Sequence, residues 1–177
     1  MYHIKQDKRA KASVELICAG LMDCLSQKSF AEITISDIQR SSTVSRSTFY
    51  RNFDCLEDVL SLMCDRVFED AFSSASGEMR QEVFSAWFKN KKLIETIVQI
   101  NRGDLLFESL RRSAVKFGRF PGLEQGSELY SYLISIIAST MMGIIVTWVE
   151  RGKKEDEAEL KSVIGKCFAA LIAFGIV

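Results

Sequence analysis

A chain of 177 residues with 47% hydrophobic and 26% charged side chains can bury a core, which excludes a disordered polyelectrolyte. A single histidine, His3, and five cysteines without a C-x-x-C pair leave no basis for a histidine metal centre, a zinc ribbon or a Ser-His-Asp triad. The net charge of zero hides an asymmetry: residues 1–53 hold eight Lys/Arg against five Asp/Glu, a surplus of three that the remaining residues offset. A basic head on an acidic body fits a nucleic-acid reader.

The apolar spacing predicts helices throughout. Val14, Ile17, Cys18, Leu21 and Leu25 recur at three- and four-residue intervals, so residues 8–27 read as an amphipathic first helix. His3, in the tail before it, is expected to have no partners. Thr34, with Asp37 three residues on, reads as a capping box opening a short helix that Ser41-Ser42-Thr43 interrupts. Ser45 caps a second short helix, Ser45 to Phe53. Asp54-Cys55-Leu56-Glu57 repeats the capping pattern and opens a long helix to about Ser73. Helix, short helix, turn, short polar helix and long helix is helix-turn-helix packaging.

The character changes across Ser73 to Gly77. One helix is expected from about Glu78 to Ile100, and another, capped by Asp104, to Phe117. A loop follows from Gly118 to Gly126 around Pro121, the one proline, then an apolar helix from Ser127 to Glu150 and a last helix from Glu155 to Val177. Cys18, Cys24, Cys55, Cys64 and Cys167 sit at largely apolar helical positions and are expected to be buried thiols in a reducing cytoplasm.

Between Thr34 and Leu60 the sequence resembles the tetracycline-repressor (TetR) family of regulators. The resemblance is carried by Thr34, Ile38, the turn Ser42-Thr43-Val44-Ser45, then Phe49-Tyr50-Arg51-Asn52-Phe53 and Glu57-Asp58-Val59-Leu60. Gly143 to Trp148 and Leu160 to Gly175 look like that family's last two helices. The resemblance implies an all-α fold with a helix-turn-helix DNA-binding domain at 1–53 and a ligand-binding and dimerisation domain at 54–177. It implies a cytoplasmic homodimer, not an enzyme, that binds a palindromic double-stranded operator and responds to a small hydrophobic effector, most simply as a repressor. Two positions depart from the family pattern. Thr43 stands where glycine is usual, and Leu56 where a phosphate-gripping lysine is common. The alternative they keep open is a co-regulator of the same fold that contacts protein and binds DNA weakly or not at all.

Physical chemistry points to the same residues. A recognition helix needs short polar and basic side chains at its start to reach base edges, and Ser45, Arg46, Ser47 and Thr48 supply them. Thr34, Tyr50 and Arg51 are candidates for DNA contact, Thr34 and Tyr50 through phosphate. Phe84, Trp87, Phe88, Phe107, Phe117, Tyr130, Met141 and Met142 are the candidates for lining an effector cavity. No metal or cofactor is expected.

Leu129 to Val149 contains no charged residue over 21 positions, long enough to span a bilayer, but five Ser/Thr side chains interrupt it. Burial against both its own domain and a partner is the favoured expectation, with no membrane. Ser131, Ser135, Ser139, Gly143 and Thr147 form a small-residue stripe along it, suited to close approach of another helix.

Overall fold

A computed structural model describes residues 2–5, 7–73, 79–117, 120 and 122–175. Every regular element among them is helical: α1 (Lys8–Gln27), α2 (Ile35–Ser42), α3 (Arg46–Asn52), α4 (Leu56–Ser73), α5 (Met79–Lys89), α6 (Lys91–Gln99), α7 (Gly103–Phe117), α8 (Glu128–Glu150) and α9 (Glu157–Ala173). A single 3-10 turn, Phe30–Glu32, links α1 to α2. The expected change of character at Ser74 to Gly77, part of the loop (Gly118, Arg119 and Pro121) and the end of the last helix at Ile176 and Val177 lie outside the described residues.

Helices α1, α2 and α3 close on Val14, Ile17, Leu21, Ile38, Phe49 and Phe53, all almost fully buried. The apolar positions of α1 picked out by spacing are its buried stripe. Helix α4 packs against α1 at the head and against α7 in the body; α7 in turn packs on α8, and α9 rests on α5. One apolar cluster runs from Val14 through Leu60 and Phe68 to Trp87, Tyr130 and Trp148. The two ends of the chain therefore meet through α4.

Several expectations need correction. The helix expected over 78–100 is two, α5 and α6, broken at Asn90 (φ −113°, ψ 31°). The Ala86 carbonyl accepts from both the Asn90 backbone N–H, at 3.1 Å, and its side-chain amide, at 2.8 Å, so the break is marked by the Asn90 dihedrals. The cap of α4 is shifted by one residue: Asp58, not Glu57, accepts from the backbone N–H groups of Asp54 and Cys55. Asp104 does not cap α7 but lies within its first turn, paired with Arg102 at 2.9 Å. Helix α9 starts at Glu157 because Asp156 and Glu159 form its capping box. Cys55 and Cys167 are exposed; only Cys18, Cys24 and Cys64 are buried. Burial pushes the Cys18 thiol up to about 11 and raises Cys64 as well, which keeps both protonated.

The segment before α1 is not a loose tail. The His3 N–H donates to the Asn52 carbonyl at 3.0 Å, and the His3 ring lies 4.0 Å from the Asp54 carboxylate. The Tyr2 hydroxyl donates to Asp65 on α4. Asp65 is buried and also accepts from Ser109 and Arg112 of α7. Three segments distant in sequence thus share one carboxylate.

Candidate nucleic-acid interface

The entry to α2 is fixed by Thr34 and Asp37. The Thr34 N–H and hydroxyl donate to the Asp37 carboxylate at 2.8 and 2.7 Å, and the Asp37 N–H donates back to Thr34 Oγ1. Lys28 and Arg40 also donate to Asp37, at 2.6 and 2.5 Å. The Lys28 and Thr34 hydrogen bonds hold the Asp37 carboxyl well below the usual range, so it stays ionised. The Thr34 hydroxyl proton is thereby committed to the cap, although the side chain is exposed at the head of α2.

The turn between α2 and α3 keeps the left-handed geometry where glycine is usual. Thr43 has φ 59° and ψ 8°. Buried Ser42 closes the turn from the inside: its hydroxyl donates to the Ile38 carbonyl at 2.6 Å and accepts from the Val44 N–H at 3.2 Å. Ser45 then caps α3 by accepting from the Thr48 N–H, and its hydroxyl lies 3.0 and 2.9 Å from those of Ser47 and Thr48.

Helix α3 is only seven residues long and cannot be stable alone; Phe49 and Phe53 anchor it in the core, ring centroids 5.7 Å apart. With those rings inward, Ser45, Arg46, Ser47, Tyr50 and Arg51 are exposed, and Thr48 is half-buried. The Arg46 guanidinium lies 5.7 Å from the centre of the Tyr50 ring. That stacking fixes the direction of a long side chain, a contact the sequence reading did not anticipate. Six of the seven DNA candidates are thus on one short helix and its cap, and Thr34 stands at the start of the neighbouring one. Leu56 is half-buried against the core and offers no charge there.

Residues absent from the sequence-derived set also reach this face. Lys5, Lys8 and Arg9 line a groove of about 720 Å³ with Asp7, Thr48, Arg51 and Asn52. Their only sequence signal is the basic surplus of the head.

The effector candidates do not converge in the same way. Phe84 and Trp87 are buried with ring centroids 4.7 Å apart, and Phe88 packs on Trp148 at 4.9 Å. Tyr130 is buried and donates to the Ala114 carbonyl at 2.9 Å. Phe107, Phe117, Met141 and Met142 are half-buried at the edge of the core. A half-open cavity of about 410 Å³ instead lies between α1, α4 and α5, lined among others by Cys18, Met63, Arg66, Val67 and Lys89; none of the eight candidates lines it.

Along α8, Ser131, Ser135, Ser139, Gly143 and Thr147 are all exposed, as are the larger Leu129, Tyr132 and Ile136. Nothing lies within 4 Å of where a Cβ on Gly143 would stand, so the stripe does not pack within its own chain. Helix α8 is also the one described helix long and apolar enough to cross a membrane, by length and composition.

An all-helical body stands behind a helix-turn-helix head, and solved structures share this fold. The chain is similar to Lin0861 from Listeria innocua (TM-score 0.74, 15% identity, 96% of each chain covered). It is also similar to the dihydroxyacetone kinase operon activator DhaS (TM-score 0.62, 18% identity, 91% of this chain and 94% of that one). A TetR transcriptional regulator from Streptococcus agalactiae matches at TM-score 0.59 and 17% identity, over 89% of this chain and 94% of that one. The chain therefore has the fold of the TetR-type regulators. No protein-family model and no curated protein sequence matches it.

Proposed function

We propose that the protein is a dimeric, effector-responsive transcriptional regulator of the TetR type that reads double-stranded DNA with α3. The observation that carries this reading is the exposed face of α3. Ser45, Arg46, Ser47, Tyr50 and Arg51 project from a short helix held by two buried phenylalanines behind a tight turn. This is what major-groove reading requires of a helix-turn-helix. Residues 1–53 form the DNA-reading head and 54–177 the sensing and pairing body.

Pairing follows from α8 and α9. Only 28% of the most apolar stretch of α8 is buried, and Val163, Phe168 and Ile172 on α9 are exposed as well. A second copy laid along both helices would cover that surface and admit close approach at the small-residue stripe. The same covering accounts for an apolar helix without a bilayer.

The test is selection from a pool of random-sequence duplexes with the full chain, followed by mobility shift. Enrichment of an inverted repeat bound by two copies is expected. Absence of any shift with protein in the micromolar range would overturn the reading and favour the protein-contacting alternative.

A further inference from the structure

The segment ahead of α1 is fixed at one end to the body and lies at the other beside α3. We propose that Lys5, together with Lys8 and Arg9 in the first turn of α1, forms an accessory clamp on the DNA phosphate backbone, flanking the recognition helix. This deepens the DNA-reading function above and rests on it.

The described residues of the arm are fastened at Tyr2, His3, Ile4 and Asp7. Tyr2 is tied to Asp65, His3 to the last residue of α3 through Asn52, and Ile4 packs against the core. Asp7 ends the arm by accepting from the Ala10 N–H at 2.8 Å and so capping α1. Lys8 and Arg9 are presented from the first turn of α1, and Lys5 directly follows the fastened residues Tyr2, His3 and Ile4, which lowers the entropy cost of engaging a ligand.

Charge picks out the ligand class. Of the eight head cations, Lys28 and Arg40 are taken up by Asp37. Lys5, Lys8, Arg9 and Arg51 have no ion-pair partner among the described residues, and all four are exposed along one groove. The one carboxylate among its lining residues, Asp7, is engaged at the helix cap. An open groove edged by four cations against one carboxylate carries a surplus of three positive charges and attracts a polyanion.

Continuity and composition pick out duplex DNA. Thr48 and Arg51 belong both to this groove and to α3, so a backbone entering the groove continues from the strand that α3 faces. The lining contains no aromatic ring on which an unpaired base could stack, which disfavours single-stranded nucleic acid. Lysines and arginines without bidentate partners grip phosphate and set register; they do not read bases.

The test compares the wild-type full chain, the triple variant Lys5→Ala/Lys8→Ala/Arg9→Ala and Arg46→Ala. Each is titrated with the selected duplex and a random duplex of equal length from low to high salt. The triple variant should weaken binding to both duplexes alike. Its slope of log affinity against log salt should flatten by up to about 2.7, at about 0.9 per phosphate contact, with sequence preference unchanged. Arg46→Ala should lose sequence preference. A triple variant with the wild-type slope and affinity overturns the clamp and leaves the α3 reading standing. A wild-type chain that binds no duplex overturns both. The three side chains are exposed and unpaired, so an unchanged circular dichroism melt is expected and separates lost contact from lost fold.

Discussion

Gly20 of α1 lies directly against Ser42 of α2: a Cβ at position 20 would stand 2.9 Å from the Ser42 Cβ and 3.1 Å from its backbone nitrogen. The obstructing atoms belong to the backbone and first side-chain carbon of the residue that closes the turn, so they cannot swing aside. Alanine at 20 gains about 1 kcal/mol of helix propensity. Overpacking a tight contact costs about 1–3 kcal/mol. Gly20→Ala should therefore destabilise the fold by about 1 kcal/mol and disturb the turn that aims α3. A urea midpoint at or above wild type would show that α1 and α2 can separate at this crossing.

Thr43 gives the opposite sign. A β-branched side chain at φ 59° is strained, and left-handed non-glycine residues cost on the order of 1–3 kcal/mol. Glycine relieves that strain while adding about 0.5–1 kcal/mol of unfolded-state entropy cost. Thr43→Gly should raise stability by about 1 kcal/mol and leave the geometry of α3 intact. A lower thermal midpoint would mean that the threonine side chain stabilises the turn by more than its backbone costs.

The capping box at Thr34 makes stability depend on acid in one direction. Hydrogen bonds from Lys28 and Thr34 lower the Asp37 pKa below its ordinary 3.8. A depressed carboxyl contributes stability that is complete above its unfolded value and is lost as pH falls through the folded one. The advantage of wild type over Asp37→Asn should be constant from neutral pH down to about pH 5 and shrink below about pH 4. Thermal melts of the two proteins across that range check it; a gap that stays constant to pH 2 would show that the charge of Asp37 contributes nothing.

What the sequence made legible was local. Thr34, Ser45 and Ser127 are each followed by the backbone N–H they cap, and the spacing of Val14, Ile17 and Leu21 needs no distant partner to be read. The break at Asn90 leaves no sequence signal, because a lone asparagine is tolerated within helices and its departure lies in its own backbone dihedrals. The arm was missed for a different reason. Tyr2 and Asp65 are 63 residues apart, and no periodicity in either neighbourhood records their contact. Phe84, Trp87 and Tyr130 were marked by the same aromatic spacing that marks a core, and core is where the fold puts them.

The pairing face offers a test that does not depend on the fold. Gly143 has open space around it, so a side chain there meets nothing within its own chain. Gly143→Glu should leave the helical signal near wild type and yet set a charge in the middle of the small-residue stripe. If the stripe is the pairing face proposed above, light scattering in the micromolar range should report a dimer for wild type and a monomer for Gly143→Glu, and binding to a two-fold duplex should fall with it. A Gly143→Glu protein that remains dimeric would move the interface away from this stripe.

The last prediction concerns the carboxylate that joins arm and body. Asp65 accepts from Tyr2 of the arm and from Ser109 and Arg112 of α7, with the Arg112 nitrogen at 2.7 Å. Burial, then the Asp65 hydrogen bond, pushes the Tyr2 phenol above its ordinary range, so the hydroxyl stays a donor throughout the neutral range. Asp65 stands on α4, so α7, α4 and the segment before α1 meet at one carboxylate, and a shift of α7 would be expected to reach Tyr2 through it. A ligand can move an equilibrium only through contacts that differ between two states, and this carboxylate is a contact that α7 and the arm share. Tyr2→Phe keeps the ring and removes the donor, so it should release the arm at a modest cost, about 1 kcal/mol for a half-buried hydrogen bond to a charge. Amide hydrogen exchange at residues 2–5 should quicken while that of α8 stays at the wild-type rate. Salt dependence of duplex binding should flatten by no more than the share of Lys5, about 0.9, because Lys8 and Arg9 stand on α1 and keep their place when the arm is unfastened. Wild-type exchange rates at residues 2–5 in Tyr2→Phe would show that the backbone bond from His3 to Asn52 suffices to hold the arm, and that no signal passes through Tyr2.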